Sequence, residues 1–170
     1  KPYQSVGEDF LHNYLGMIGI PMEIVPRFPD NEKVVLLTES ASYDKEIVAR
    51  IKNHLTKGNS VVITSGLLKA LQGKGIEDIA EIRHTDRKAQ VSDFVAGWGT
   101  PAKADREMII PQISYLTNDA WEEISALDDT NGWPLLLFAS YGKGKFYVLT
   151  IPDNFTDLYH LPEPVITRMK

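Results

Sequence analysis

Ser65 is the side chain best placed to act as a nucleophile. It follows the apolar run 61–64 and precedes Gly66, so it stands at a strand-to-helix turn, where nucleophile elbows hold their attacking atom. An elbow needs small residues on both sides of the nucleophile, but Ile63 lies two positions before Ser65. A serine at such a turn is also a common helix N-cap, and catalysis would need a neighbouring base. The sequence therefore favours capping over catalysis for Ser65.

Histidine and cysteine offer little further chemistry. The four histidines form neither a His-x-His motif nor an i, i+4 pair, so we predict no metal site and expect structural or surface roles for them. The absence of cysteine excludes thiolate nucleophiles, disulfides and iron–sulfur clusters. We expect no cofactor. The histidines are His12, His54, His84 and His160.

Two Gly-Lys clusters resemble phosphate-binding loops only superficially. Residues 73–75 and 142–145 have neither the GxxxxGK[ST] spacing nor a strand before them and a helix after them. The second cluster lies between Phe138 and Phe146 in a run of strand-forming residues. This context predicts a tight hairpin, in which glycine supplies positive φ.

Several aromatic side chains could stack on sugar rings, although aromatic residues more often fill a core. Trp98 is the most suggestive, because it stands in a Gly-Trp-Gly loop and not in a periodic segment. Carbohydrate binding is therefore one hypothesis for this chain. The other candidates are Trp121, Trp133, Tyr141 and Tyr159.

Composition excludes some partners. The net charge is −5, and the 18 Lys and Arg residues are scattered among acids, so we expect no nucleic-acid partner. No run approaches the roughly twenty apolar residues of a membrane-spanning helix. We expect a soluble protein without a membrane partner. A chain without cysteine suits the cytoplasm and the periplasm equally, so the compartment stays open.

The first half of the chain predicts an α/β core. A capping-box pattern at Ser5 and Glu8 opens an amphipathic helix that runs to Gly19, and residues 22–25 predict a short strand. The continuous apolar runs 34–37 and 61–64 predict two central, parallel strands. A helix with apolar positions on one face joins them. This strand–helix–strand unit predicts a doubly wound sheet with a crevice at the carboxyl ends of its strands.

The second half is richer in strand patterns. Four segments predict strands, and the last is the hairpin around residues 142–144. With no repeat or long linker, 170 residues predict one domain, with an α/β core over residues 1–75 and a β-rich half over 76–170. The start at Lys1 and the helical pattern at the end predict an excerpt of a longer protein. The strand segments are 89–95, 108–116, 121–127 and 135–151.

The run from Val34 to Gly66 resembles the class I glutamine amidotransferase-like superfamily. The nearest branch is the domain of large bacterial β-galactosidases that serves trimerisation, in which a strand, an acidic helix ending in Lys-Gly and a VVIT strand recur. Residues 142–149 also resemble a late hairpin of that family. The resemblance covers about the first seventy residues and the final hairpin, and leaves 76–129 unassigned. It implies a flavodoxin-like sheet with helices on both faces.

Active amidotransferases carry a cysteine nucleophile after the strand that matches residues 61–64, and a histidine with an acidic partner after a late strand. This chain has Ser65-Gly66 at the first place and no histidine in residues 151–154. A serine hydroxyl stays protonated near neutral pH and cannot attack without a base, whereas a thiol ionises readily. The resemblance therefore implies the fold and argues against glutaminase activity.

Our leading hypothesis is a non-catalytic domain that acts as a scaffold, oligomerisation or ligand-binding module in a larger, carbohydrate-related bacterial protein. Its partners would be other domains of its own chain, a second copy of the chain or a carbohydrate. One alternative is a serine hydrolase that uses Ser65 with a histidine and either Glu39 or Asp153, and another is a carbohydrate-binding module. The ligand-binding candidates are Glu39, Ser65, Gly66 and Trp98.

Overall fold

The computed structural model describes residues 7–116, 118–129 and 131–170. Ser5, the first residue of the predicted capping box, lies outside these ranges. The α-helices are α1 (Leu11–Met17), α2 (Ile47–Thr56), α3 (Ser65–Leu71) and α4 (Glu163–Met169). Four short 3-10 helices cover Gly7–Phe10, Glu39–Tyr43, Ile76–Asp78 and Phe155–His160. The strands are β1 (Val34–Leu37), β2 (Ser60–Thr64), β3 (Ile82–Ala96), β4 (Thr100–Tyr115), β5 (Ala120–Asp128), β6 (Asn131–Tyr141) and β7 (Gly144–Leu149).

All of these strands belong to one mixed sheet with the order β1-β2-β7-β6-β5-β3-β4. The pairs β1–β2 and β2–β7 are parallel. The other four adjacent pairs are antiparallel, and they include the long β3–β4 ladder. The sheet is therefore mainly antiparallel.

The predicted flavodoxin-like, doubly wound parallel sheet with helices on both faces is wrong for this chain. Residues 76–129, which the family resemblance left unassigned, contain the whole of β3, β4 and β5, and short connections make the consecutive pairs β3–β4, β5–β6 and β6–β7 antiparallel. Helices also leave part of one face open, because Leu36, Val62 and Tyr147 line a broad cleft. The parallel arrangement is confined to the edge formed by β1, β2 and β7.

Several local predictions are confirmed. The unit β1-α2-β2 has the predicted order and parallel pairing, and β6 and β7 form the predicted hairpin with Gly142 at φ +57°. Two predictions are wrong. Residues 22–25 form no strand, and β1 lies at an edge of the sheet and not at its centre. β3 and β4 are also much longer than the patterns indicated.

Buried side chains form two apolar clusters. The first joins the sheet to α1 and α4 through Leu11, Tyr14 and Val165. The second joins it to α2 and α3 through residues such as Ile51 and Leu67. Successive side chains of a strand point to opposite faces, and neighbouring positions of β7 accordingly enter different clusters. No helix in the described part of the chain is long and apolar enough to cross a bilayer.

Candidate functional site

The predicted crevice lies where the parallel strands β1 and β2 end. The turn after β1 carries Thr38 and Glu39, and β2 ends at Thr64, which is followed by Ser65 and Gly66. Because parallel strands present their carboxyl ends at the same edge, these residues meet although they come from separate segments. The structure therefore brings three of the four predicted ligand-binding residues to one place.

This crevice is occupied by the side chain of Glu8, from the 3-10 helix before α1. Glu8 Oε2 accepts hydrogen bonds from the Glu39 backbone N–H at 2.7 Å and from Thr64 Oγ1 at 2.6 Å. Its other oxygen, Oε1, accepts one from the backbone N–H of Gly66 at 3.1 Å. The Glu8 carboxylate is thus bound by Glu39, which follows β1, and by Thr64 and Gly66 at the end of β2.

Burial raises the pKa of Glu8 above its usual range, and the nearby Glu39 carboxylate also raises it. The hydrogen bonds from Thr64, Glu39 and Gly66 favour the charged form and lower the pKa in part. These three donors offset part of the cost of burying the charge. Glu8 is 6% exposed, so its side chain is an internal part of the fold and not a surface group.

Gly66 leaves no space for a side chain while Glu8 is in place. A Cβ atom at this position would collide with Glu8 Oε1 and would lie 2.9 Å from Glu8 Cδ and 3.0 Å from Glu39 Oε2. The described backbone of Gly66 does not have positive φ. Its role is therefore close approach, because the missing side chain lets the carboxylate reach the Gly66 N–H.

Ser65 is buried, and its hydroxyl has a structural partner. Ser65 Oγ accepts a hydrogen bond from the backbone N–H of Ile151 at 2.9 Å, which ties the start of α3 to the segment after β7. The capping role considered for Ser65 belongs to its neighbour, since Thr64 Oγ1 accepts from the Leu67 N–H at 3.2 Å. The reason is geometric: the cap residue is the last one with extended backbone, and that residue is Thr64.

The acids suggested as partners for a Ser65 nucleophile have other neighbours. Asp153 pairs with Lys88. The Glu39 backbone N–H binds Glu8, and the Glu39 carboxylate lies beside Gly66, 3.0 Å from its Cβ position. Within residues 7–116, 118–129 and 131–170, no histidine hydrogen-bonds to Ser65. Of the histidines, His12 bonds to the Asp9 carbonyl, His160 pairs with Asp105, and buried His54 packs edge-on against Phe28.

Trp98 lies apart from this cluster, in the turn between β3 and β4, where its side chain is fully exposed.

Sequence reasoning missed the role of Glu8, which the sequence pattern placed only in a local capping box. A single acid near a helix start carries no signal for contacts with residues 31 to 58 positions away. In the described part of the chain, no cluster of His, Asp and Glu could hold a metal ion.

Solved structures show the same fold at low sequence identity. The Salmonella typhimurium LT2 cytoplasmic protein STM1381 is 14% identical with a TM-score of 0.64, over 97% of this chain and 85% of its own. Gan42B, a GH42 beta-galactosidase from G. stearothermophilus, is 18% identical with a TM-score of 0.54, over 77% of this chain. The beta-galactosidase from Rahnella sp. R3 is 14% identical with a TM-score of 0.56, over 91% of this chain.

The chain spans only 20% of the length of Gan42B and 25% of the Rahnella enzyme, so it corresponds to one part of those larger proteins. No match was found among curated proteins. The wider resemblance to glutamine amidotransferases stays a prediction. Residues 1–154 match the family described as "Uncharacterized protein SSO3021, second domain". The chain therefore belongs to the family of the second domain of SSO3021.

Proposed function

We propose that this chain is a non-catalytic domain that serves as a scaffold, oligomerisation or ligand-binding module in a larger, carbohydrate-related protein. One observation carries the proposal: the Glu8 carboxylate fills the crevice in which a nucleophile elbow would act. The crevice is thus a joint between segments of the chain and not an open site.

The chemistry of elbow enzymes explains why this occupancy opposes catalysis. Such enzymes stabilise the oxyanion with the backbone N–H of the residue after the nucleophile and a second N–H from another loop. Here the N–H of Gly66, directly after Ser65, and that of Glu39 already donate to Glu8. A fixed carboxylate also repels the negative charge that an acyl-transfer transition state develops.

In the described residues, the hydrolase alternative lacks a histidine bonded to Ser65 as well as an open oxyanion site. Ser65 is 3% exposed and its hydroxyl accepts from the Ile151 N–H, an arrangement that suits a structural hydrogen bond. Activating this hydroxyl would require a partnered base. The crevice residues of the described chain therefore support a holding role better than a hydrolytic one.

The carbohydrate association is supported by the fold shared with parts of two beta-galactosidases. In this proposal the partners are other domains of the same protein, a second copy of the chain, or a carbohydrate. Light scattering coupled to size-exclusion chromatography tests whether a second copy of the chain is a partner. A monomer at high concentration would remove oligomerisation from the proposal.

Labelling with a fluorophosphonate probe tests the non-catalytic assignment. We expect no labelling of the wild type and none of Glu8→Ala, because removing Glu8 leaves Ser65 without a bonded histidine among the described residues. Ser65→Ala is the matched control for any background reaction. Labelling that depends on Ser65 and disappears on denaturation would contradict the proposal and restore the hydrolase alternative.

A further inference from the structure

Five apolar side chains form a continuous row across the open face of the sheet. Strand register pairs Trp121 with Phe138, Phe138 with Tyr147, Tyr147 with Val62, and Val62 with Leu36. Directly paired residues of neighbouring strands project on the same side, so the row crosses β5, β6, β7, β2 and β1. We call this set the aromatic row.

The three rings of the aromatic row contact one another. Trp121 and Phe138 have ring centroids 4.2 Å apart, and Phe138 and Tyr147 have centroids 5.1 Å apart. Phe138 is buried between its neighbours, Tyr147 is partly exposed, and Trp121 is 50% exposed. The result is a packed platform of inclined rings, with angles of 41° and 63° between neighbours, in which one large indole remains open to solvent.

Hydrogen-bonding groups flank this platform. Trp121 Nε1 donates to Glu123 Oε1 at 2.8 Å, and the other Glu123 oxygen pairs with Arg168 of α4. The Glu123 side chain is 16% exposed and the Arg168 side chain 44%, so the pair borders solvent. Glu123 and Arg168 also line the cleft beside Tyr147. Donors and acceptors therefore stand next to the exposed ring faces.

The cleft above the Leu36, Val62 and Tyr147 part of the row is too large for a single small molecule. It has a volume of about 1980 Å³, whereas sites for drug-sized ligands measure about 300–1,000 Å³. Leu36, Val62 and Tyr147 form its floor, and the segment 20–30 and the end of α4 form walls. The dimensions suit an extended ligand that lies across several strands and continues past Glu123 to Trp121, which itself does not line the cleft.

We propose that the aromatic row and the Glu123–Arg168 pair form a binding site for a neutral oligosaccharide. The C–H faces of sugar rings stack on flat aromatic side chains, and a carboxylate–guanidinium pair offers acceptors and donors to adjacent hydroxyls. An acidic side chain such as Glu123 is uncommon at the core of a protein interface, but aromatic side chains and Arg are enriched there, so a second copy of the chain is the competing occupant that the test includes. The inference deepens the proposed function by naming its ligand class, and it rests on that carbohydrate association.

An amide NMR titration with neutral β-linked tetrasaccharides of galactose, glucose and xylose tests the site. We expect at least one of them to shift the resonances of β5, β6 and β7. Trp121→Ala should weaken that binding roughly tenfold or more, because it removes the exposed stacking face. Tyr159→Ala is the matched control: Tyr159 is 43% exposed but belongs neither to the aromatic row nor to the cleft lining, so binding should change less than about twofold.

Three results would overturn the proposal: no shifts with any sugar up to about 10 mM, shifts confined to another surface, or unchanged binding by a folded Trp121→Ala variant. Light scattering on the Trp121→Ala variant tests whether a second copy of the chain covers this face instead. If Trp121→Ala converts an oligomer to a monomer, a second copy of the chain covers this face and the sugar site is excluded. None of these results depends on the labelling of Ser65, so failure here is distinguishable from failure of the non-catalytic assignment.

Discussion

The carboxylate of Glu8 accepts a hydrogen bond from the backbone N–H of Gly66, 58 positions later in the chain, at 3.1 Å. The other Glu8 oxygen binds Thr64 and the turn after β1, so one side chain joins the start of the chain to two strand ends. Removing a buried acceptor leaves its donors unpaired, and this cost exceeds the net gain of making the bonds. Substitutions that remove the Glu8 carboxylate should therefore lower the free energy of unfolding.

We expect Glu8→Ala to lower the free energy of unfolding by about 2 to 4 kcal/mol at pH 7, because three donors lose their acceptor. Glu8→Gln should cost less, about 1 to 3 kcal/mol, since its amide NH₂ faces one donor while its oxygen still serves the others. Urea denaturation of both variants measures the difference. Equal stability of wild type and Glu8→Ala would show that the joint contributes nothing.

The double variant Glu8→Ala/Gly66→Ala isolates the contact between these positions. Gly66→Ala alone should destabilise the chain, because the new methyl group collides with the Glu8 carboxylate. Once Glu8 is truncated, the collision with its carboxylate disappears and the contact with Glu39 Oε2 at 3.0 Å remains, so the two changes should cost less together than their sum, by about 1 kcal/mol or more. Strict additivity would contradict the close approach.

Tyr14→Phe should leave stability unchanged or raise the free energy of unfolding by up to about 1 kcal/mol. The Tyr14 hydroxyl is buried and has no hydrogen-bond partner within the described residues, so its removal abolishes a desolvation cost. Tyr115→Phe is the matched opposite, since the Tyr115 hydroxyl donates to Glu122 at 3.0 Å. That variant should lose about 1 kcal/mol. Thermal and urea unfolding should rank the two variants in this order.

Stability should fall as the pH drops below about 6.5, the usual pKa of histidine. Burial, the larger cause, and the charge of Lys57 lower the pKa of His54, so the unfolded chain takes up the proton first. The stability that neutral His54 contributes is fully present above the pKa of histidine in the unfolded chain. Below that pKa it declines by at most about 1.4 kcal/mol per pH unit.

His54→Leu should flatten this pH profile, measured as urea midpoints between pH 7.5 and pH 5 (roughly the range in which histidine titrates). Some slope should remain, because burial also lowers the pKa of His84. His12→Gln is the control, since that side chain is only half-buried and hydrogen-bonds to the Asp9 carbonyl. An unchanged slope in a folded His54→Leu variant would exclude His54 as its source.

Gly144→Ala should destabilise the chain by about 2 to 4 kcal/mol. The start of β7 approaches the end of α2 so closely that a Cβ atom on Gly144 would lie 2.6 Å from Leu55 Cα and 2.8 Å from its carbonyl carbon. Backbone atoms cannot rotate away as a side chain can. Gly16→Ala is the control: nothing lies within 4 Å of its Cβ position in α1, so it should be neutral or stabilising by about 1 kcal/mol. Calorimetry on both variants measures this difference. A Gly144→Ala variant as stable as Gly16→Ala would show that the close approach is absent.

Sequence patterns predicted the parts of the fold that depend on neighbouring residues. The apolar runs of β1 and β2, the periodicity of α2 and the glycine-containing turn between β6 and β7 are local signals, and the structure confirms each of them. The long antiparallel strands β3 and β4 were not predicted at their full length. Their exposed stretches are rich in charged residues, such as 103–107, and lack the continuous apolar pattern of a buried strand.

By itself, the sequence determined that the chain has no thiol chemistry and that a strand–helix–strand unit places Glu39, Ser65 and Gly66 at one edge of a sheet. Only the tertiary structure decided that Glu8 fills this edge, that Thr64 and not Ser65 caps α3, and that the aromatic row crosses five strands. The reason is distance along the chain. Periodicity and turn residues report on neighbours, whereas these contacts join segments that come together only when the sheet forms.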